Sequence, residues 1–543
     1  MKRPTAGQLG EAAFDLVVVG GGITGAATAR DAALRGLSVV LVEKDDFAAG
    51  TSSRSSKLIH GGLRYLQTYQ FRLVAESVRE REKWLRLAPH LTELRPFLYL
   101  LYRGYPESRA LLNLGLTFYD VVSGSWRQRR HSMLNAAQVL AREPHLRSEG
   151  LLGAGLYYDV LTDDARLTLD TVKGAAEAGA VVLNHAEVTG LVLERGKARG
   201  VTVADSETGG TYSISARQVL SATGPWTDRT RELEHTAQTH RLRPTKGVHI
   251  VVKKSDFPLD TAVFLRSPTD NRVVWPTPSL EDDVVYIGTT DTDYAGDLDN
   301  VQPEESDIRY LLEVANHTIP EARLSERHVV GSWAGLRPLI APPPGVSASN
   351  TPREHAITTG PTGMIAISGG KLTSNRVMAQ HLVDAAMKAI GAKGTTSAAG
   401  ETPISGGGDL SAARAAVRTA GVPEDLAGRW LRRYGSNTGA LAELWRADPA
   451  NREVIGARQL TRAEVIYSVT EEMATTLSDL LVRRTSAFFW DESGGLDQIE
   501  AVADEMATLL DWSAERRTSE IDSYRRLVLE HRPGRAHDGE PLD

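Results

Sequence analysis

Gly20, Gly22 and Gly25, followed by Glu43, form the chain's clearest chemical pattern. They stand in Phe14-Asp-Leu-Val-Val-Val-Gly20-Gly-Gly22-Ile-Thr-Gly25, ahead of the apolar run Ser38-Val-Val-Leu-Val42 and Glu43. The pattern reads as strand, glycine turn, helix and second strand. Gly20 permits the tight turn, Gly22 lets the backbone approach a pyrophosphate, and Gly25 lets helix and strand pack closely. The helix N-terminus then offers free amides and a positive dipole end to phosphate. Glu43 falls where a carboxylate can accept hydrogen bonds from both hydroxyls of an adenosine ribose. The unit therefore predicts dinucleotide binding.

Around this unit the composition sets limits. The chain has 543 residues, too many for one core, and two to four domains are expected. It has no cysteine, which excludes disulfides, thiolate nucleophiles, iron–sulfur clusters, zinc–cysteine sites and cysteinyl flavin attachment. A net charge of −7 argues against a general nucleic-acid binder. No leader segment, and no apolar run long enough to span a bilayer, is visible. The expectation is an intracellular protein, cytoplasmic and peripheral on the inner face of the cell membrane. Metal binding is not expected; Asp163-Asp164 and Asp282-Asp283 read as solvated loop pairs.

The elements that must position the chemistry follow in order. A serine-rich loop follows Glu43, then a helix from about Phe71 to Leu87 with Arg79, Glu80, Arg81, Glu82 and Lys83 on a solvated face. Residues 96–131 pair apolar stretches (Pro96–Tyr102 and Leu111–Tyr119) with Arg103, Arg109 and the cluster Arg127-Gln-Arg-Arg130. They read either as a buried helix pair with a charged loop or as an interfacial patch with arginines on lipid phosphates. A helix over 167–178, a strand at Ala180–Leu183 and a small antiparallel sheet lead to the buried strand Gln218–Gly224. Residues 241–354 are strand-rich, 394–408 look like a linker, and 409–531 read as helices. The fold class is α/β: a discontinuous Rossmann-like dinucleotide domain (14–90, 160–240 and 355–393), a cap or membrane-facing insertion (91–159), an antiparallel-sheet substrate domain (241–354) and a C-terminal helical domain (409–531).

Only one glycine fingerprint is complete. Ser368-Gly-Gly-Lys371 lacks the third glycine and the distal acid, so it reads as a second helix N-terminus aimed at the same cofactor. In flavoproteins such a dipole stabilises negative charge at the N1–C2=O edge of the reduced ring. The cofactor reading is one non-covalent FAD, with a substrate that reduces it directly.

The motif Thr51-Ser-Ser-Arg-Ser-Ser-Lys57-Leu-Ile-His60-Gly-Gly62-Leu-Arg64-Tyr65-Leu66 narrows the family. With it stand Ala222-Thr-Gly-Pro-Trp226, Lys246-Gly-Val-His249-Ile-Val-Val252, Ile287-Gly-Thr-Thr-Asp291, Gly335-Leu-Arg337-Pro-Leu339, Gly369-Gly-Lys371-Leu-Thr373, Arg433-Tyr-Gly-Ser-Asn437 and Leu481-Val-Arg-Arg-Thr485. Over about residues 14–510 the chain resembles the FAD-dependent glycerol-3-phosphate dehydrogenases, within the glycine/D-amino-acid-oxidase-like flavoproteins.

That resemblance implies oxidation of sn-glycerol 3-phosphate to dihydroxyacetone phosphate by hydride transfer from C2 to flavin N5. A phosphorylated polyol needs cations, which Arg64, Arg337, Lys371 and Arg353 would supply, with Tyr65 and Thr289 as donors to substrate oxygens. Arg337 at the reacting carbon and His249 as base are the catalytic candidates, and the sequence does not choose between an Arg337-assisted route and a His249 base. The cofactor contacts expected are Gly20, Gly22, Ile23, Thr24, Gly25, Glu43 and Lys44; Thr51, Ser52, Ser53, Ser56, Lys57, Leu58, His60, Gly61 and Gly62; Val188, Ala222, Thr223, Gly224 and Trp226; and Gly370, Lys371, Leu372 and Thr373. The expected partners are glycerol 3-phosphate, a membrane quinone and an anionic lipid surface, with no nucleic acid. Homodimerisation is a family expectation. Oxygen as acceptor, with peroxide as product, is the alternative; no surplus segment of the kind the oxidases carry in the cap region is visible.

Overall fold

The computed structural model describes residues 1, 3–4, 6–10, 12–63, 70–124, 129–235, 242–280, 283–341, 355–393 and 395–532. Arg64, Tyr65, Arg127 and Arg353 lie outside the described residues.

Leu16–Val19, in the strand Ala13–Val19, and the strand Val39–Val42 are continuous apolar runs, as expected where helices cover both faces of a parallel sheet. They pair in parallel, Val17 opposite Val40, and the first strand also runs parallel to Thr211–Ser221. That strand pairs in parallel with Ile365–Gly369, and Val39–Val42 with Val181–Leu183. Three distant stretches of sequence thus build one parallel sheet, as a discontinuous dinucleotide domain requires. An antiparallel meander, Ala186–Glu194 and Lys197–Asp205, joins it at Thr211–Ser221.

The helix Ile23–Leu34 is rich in alanine and packs on Asp164–Glu177 and Asn375–Ile390. Its approach to the first strand depends on Gly25, where a Cβ would lie 1.8 Å from the Gly20 carbonyl oxygen. Gly20 itself has φ +104°, which disfavours any side chain.

The second sheet is mostly antiparallel. Leu242–Lys253 pairs with Val329–Ile340 on one edge and with Val284–Gly288 on the other. Through Val273–Pro278 and Ala262–Arg266 the sheet continues into Thr92–Tyr102 and Leu151–Thr162. Segment 91–159 therefore shares a sheet with segment 241–354. Phe97 to Tyr102 are all buried, so the apolar run Pro96–Tyr102 is a core strand, neither helical nor lipid-facing. The helix Arg109–Ser123 covers this sheet with Leu112, Leu116 and Tyr119, and a Cβ at Gly155 would meet Leu116 at 2.5 Å.

Several charged runs differ from the sequence expectation. The helix Phe71–Leu87 forms where its pattern placed it, but Glu80 and Arg81 are buried. Glu80 accepts two hydrogen bonds from Arg376, and Arg81 reaches Asp159. Asp163 and Asp164 are not a solvated pair. Asp163 caps the helix Asp164–Glu177, and Asp164 is fully buried against Lys57 at 2.6 Å. Each charge is enclosed because an opposite charge is enclosed with it. Nor is 394–408 a free linker: Ile404 is buried and its N–H donates to the Leu87 carbonyl at 3.0 Å.

C-terminal helices from Ser411 to Glu530 pack on the body through buried ion pairs. Arg166 bridges Asp170 and Glu472, while Arg483 and Arg484 converge on Asp46. Asp46, His185 and Asp479 are close enough to hold a cation, but two guanidinium groups already occupy their charge.

Candidate active site

A cavity of about 550 Å³ runs between the two sheets. At one end the glycine turn meets Glu43, whose Oε2 accepts from the Gly21 N–H at 2.6 Å and Oε1 from the Asp45 N–H at 2.9 Å. Burial pushes the Glu43 carboxyl up to about 7 against these two bonds. Each oxygen keeps a further lone pair for a hydroxyl donor. Lys44 stacks over Trp226, and both reach Asp299.

Along the middle, the Ser52 hydroxyl accepts from the Ile23 N–H at 2.9 Å and would meet a Cβ at Gly22 at 3.1 Å. This space is a cradle that any side chain at Gly22 would begin to fill. The Thr51 hydroxyl donates to the Leu336 carbonyl at 2.6 Å, tying the serine-rich loop to the second sheet. Gly20, Gly22, Ile23, Thr24, Thr51, Ser52, Ser56, Leu58, His60, Val188, Ala222, Thr223, Gly224, Trp226, Gly370, Lys371 and Leu372 line the same cavity. Gly25, Ser53, Gly61 and Thr373 do not line it, and Gly62 lines the smaller cavity that adjoins it. Gly25 serves packing, and the Thr373 hydroxyl bonds to the His60 carbonyl at 3.1 Å. Lys57 is elsewhere: its ammonium lies against Asp164 and 4.3 Å from the Phe489 ring centre.

Arg337, His249, Thr289 and Lys371 also line this cavity. Arg337 projects from the strand Val329–Ile340, in register with Thr245. Its guanidinium donates to the Thr289 hydroxyl, the Thr290 carbonyl and the Asp291 carboxylate, each at 3.1 Å. A carboxylate and two neutral acceptors thus fix a cation at the cavity wall. A smaller cavity of about 90 Å³ adjoins it, shared by Ser56, His60, Thr289 and Arg337 and closed by Asp159, Arg272 and Trp275.

His249 sits in the adjacent strand with Nε2 3.0 Å from the Ser56 hydroxyl, and its Nδ1 is buried without a hydrogen-bond partner. Burial, then Arg337, then Lys57, push its pKa well below the ordinary imidazole value. The ring is therefore neutral at physiological pH. The Gly288 backbone leaves room for it: a Cβ there would lie 2.0 Å from the imidazole.

The structure adds residues that the sequence reading left without a role. Arg54 and Ser55 line the main cavity from inside the quoted serine-rich string, and Asp291 anchors Arg337 from inside another. Burial, then Arg483, pull the Arg54 guanidinium down to about 10. Arg229 and Thr230 follow Trp226 around one turn of helix. Arg272 had no motif to mark it.

A dinucleotide turn and a long cavity between a parallel sheet and an antiparallel one, lined by Arg337 and Lys371, define a flavin-dependent oxidoreductase, and the chain belongs to the FAD dependent oxidoreductase family, whose profile matches residues 15–376. The family of the C-terminal domain of alpha-glycerophosphate oxidase matches residues 397–517. Within this class the chain groups with the aerobic glycerol-3-phosphate dehydrogenases. It is 38% identical over 530 residues to that protein of Bacillus subtilis, covering 95% of this chain and 94% of the relative. To the one of Staphylococcus aureus it is 36% identical over 525 residues, 94% and 93% of the two chains. The crystal structure of the glycerol-3-phosphate dehydrogenase from Bacillus halodurans complexed with FAD superposes with a TM-score of 0.82 at 34% identity, covering 99% of this chain and 97% of that one. FAD is thus the cofactor of this family, and the space beside Gly22 and Ser52 fits such a group.

Proposed function

We propose that the protein oxidises sn-glycerol 3-phosphate at C2 to dihydroxyacetone phosphate and passes the electrons to a membrane quinone. The observation that carries the substrate reading is that Arg337, held by Thr289 and Asp291, lines one cavity together with His249 and Lys371. FAD, when bound, supplies the two-electron oxidant that takes the C2 hydride at N5.

The chain's own residues hold and polarise the substrate. Lys371 supplies charge for the phosphate, and Arg64 and Arg353 are assigned the same role on family grounds. Arg337 stabilises negative charge developing on the C2 oxygen, because its guanidinium is already fixed by Thr289, Thr290 and Asp291 and needs no reorganisation. His249 is held uncharged and can accept a hydrogen bond. With its Nε2 beside Ser56, the hydroxyl–imidazole pair is the proton acceptor at the wall. Tyr65 is assigned as a further donor to substrate oxygen.

The quinone reading rests on a surface. On the helix Arg109–Ser123, Leu111, Leu114 and Val121 are more than half exposed, on the face opposite buried Leu112, Leu116 and Tyr119. Phe71 packs on Phe118 at 5.5 Å, and exposed Leu152 adds to the apolar side chains at the surface. Arg129 and Arg130 are exposed just beyond the helix. An apolar helical face with nearby arginines suits an anionic lipid surface. Among the described residues no helix is long and apolar enough to cross a membrane. After anaerobic reduction by substrate, a short-chain quinone should restore the yellow flavin band much faster than air-saturated buffer does. Faster return with oxygen, and release of peroxide, would make the protein an oxidase.

A further inference from the structure

Behind the active site a second cavity of about 450 Å³ lies between the catalytic body and the C-terminal helices. Its size and its place at a domain junction are those of a small-molecule site. The C-terminal region contributes Arg414 and Arg432, with Arg433 paired to Glu464 and Arg458 donating to the Thr485 carbonyl behind them, and the body contributes His90 and Thr162. Two carboxylates line it, and both are engaged. Asp163 caps a helix and accepts from the Ser486 hydroxyl, and Glu93 pairs with Arg95 at 2.8 Å.

The polar atoms on the body side are incompletely used. The Nε2 of His90 lies 3.0 Å from Asp170, while its Nδ1 is buried with no hydrogen-bond partner. The Thr162 hydroxyl, in register with Thr92, is likewise buried without one. Buried polar atoms of this kind ordinarily find a partner. Arg414, exposed at the rim, makes no ion pair among the described residues.

We infer that this cavity binds a small phosphorylated metabolite. The guanidinium groups match phosphate geometry, and the hydroxyl of Thr162 can donate to a phosphate oxygen. Leu431, Tyr286 and Trp490 in the same wall provide an apolar surface for the carbon skeleton. The cavity is distinct from the FAD cavity but packed against its catalytic end. Trp490 lies 5.8 Å from Trp333, which stacks on His249 at 4.8 Å. A ligand there touches the packing that holds the imidazole.

The test uses the FAD-loaded protein and labelled inorganic phosphate in equilibrium dialysis, with ionic strength fixed by chloride. Phosphate at the active site is read separately from its change in the flavin spectrum. The parent should bind one phosphate per chain beyond that spectral site. Arg414→Ala/Arg432→Ala should lose this phosphate and keep the spectral change. Thr162→Val, nearly isosteric, gives the same readout should the double variant fold poorly. Equal stoichiometry in parent and variants, or no phosphate beyond the spectral site in the parent, would overturn the assignment.

Discussion

The imidazole of His249 lies flat against the indole of Trp333, ring centres 4.8 Å apart and planes 11° apart. Together with the Ser56 contact, this stack fixes the ring at the cavity wall and keeps water from it. The same enclosure keeps it uncharged, so a neutral acceptor stands beside the fixed Arg337 guanidinium.

A pH prediction follows. A catalytic imidazole of ordinary pKa would make kcat/KM fall below about pH 6.5. With the His249 pKa held well below that value, kcat/KM should stay level as pH falls from 8 to 6, and the acid limb should lie lower. His249→Ala should remove that limb. An acid limb centred near 6.5 would contradict the lowered pKa, and a limb unchanged in the variant would clear His249 of proton transfer.

Arg337→Ala should lower kcat by more than about tenfold, equivalent to about 1.4 kcal/mol of lost transition-state stabilisation. Arg337→Lys keeps the charge but not the fork that holds Thr289 and Asp291, so it should recover only part of the rate. Steady-state kinetics with a dye acceptor measures both. A change confined to KM would reduce Arg337 to a binding residue.

Gly25→Ala should abolish flavin retention, because its methyl would lie 1.8 Å from the Gly20 carbonyl oxygen and force the turn apart. The ratio of flavin to protein absorbance in the purified variant gives the answer. A fully loaded variant would mean the turn can open without losing the cofactor.

His185 couples the first domain to the C-terminal helices through Asp479 at 2.9 Å. Burial lowers its pKa, but the Asp479 carboxylate outweighs burial and raises it to about 9. A folded pKa above the unfolded value of about 6.5 gives stability that is fully present below pH 6.5 and lost as pH rises through 9. The melting temperature of His185→Ala should therefore fall farthest below the parent's at pH 6 and approach it above pH 9. A constant gap would assign the loss to packing alone.

Much of this architecture was legible because local pattern and tertiary role agree. The apolar strand before Gly20, the helix after Gly22 and the second strand before Glu43 obey one local code. Arg337, His249, Thr289 and Lys371 stood out through motif strings, although nothing in their spacing said that they line one cavity. What escaped depends on distant pairing. Glu80 and Arg81 looked solvated because Arg376 and Asp159 lie far away in sequence. Lys57 looked like a cofactor contact because its string touches the cavity, yet buried Asp164 turns it away. Pro96–Tyr102 fitted a lipid-facing or helical reading because a strand buried on both faces has no alternation to reveal it.

The most direct test is anaerobic mixing of the yellow, FAD-loaded protein with sn-glycerol 3-phosphate, followed at the long-wavelength flavin band, beside an equal concentration of unphosphorylated glycerol. Rapid bleaching with the phosphate ester, and none with glycerol, is the predicted result. No bleaching with the ester, or equal bleaching by glycerol, would contradict the assignment of Arg337 and Lys371 to a phosphorylated polyol.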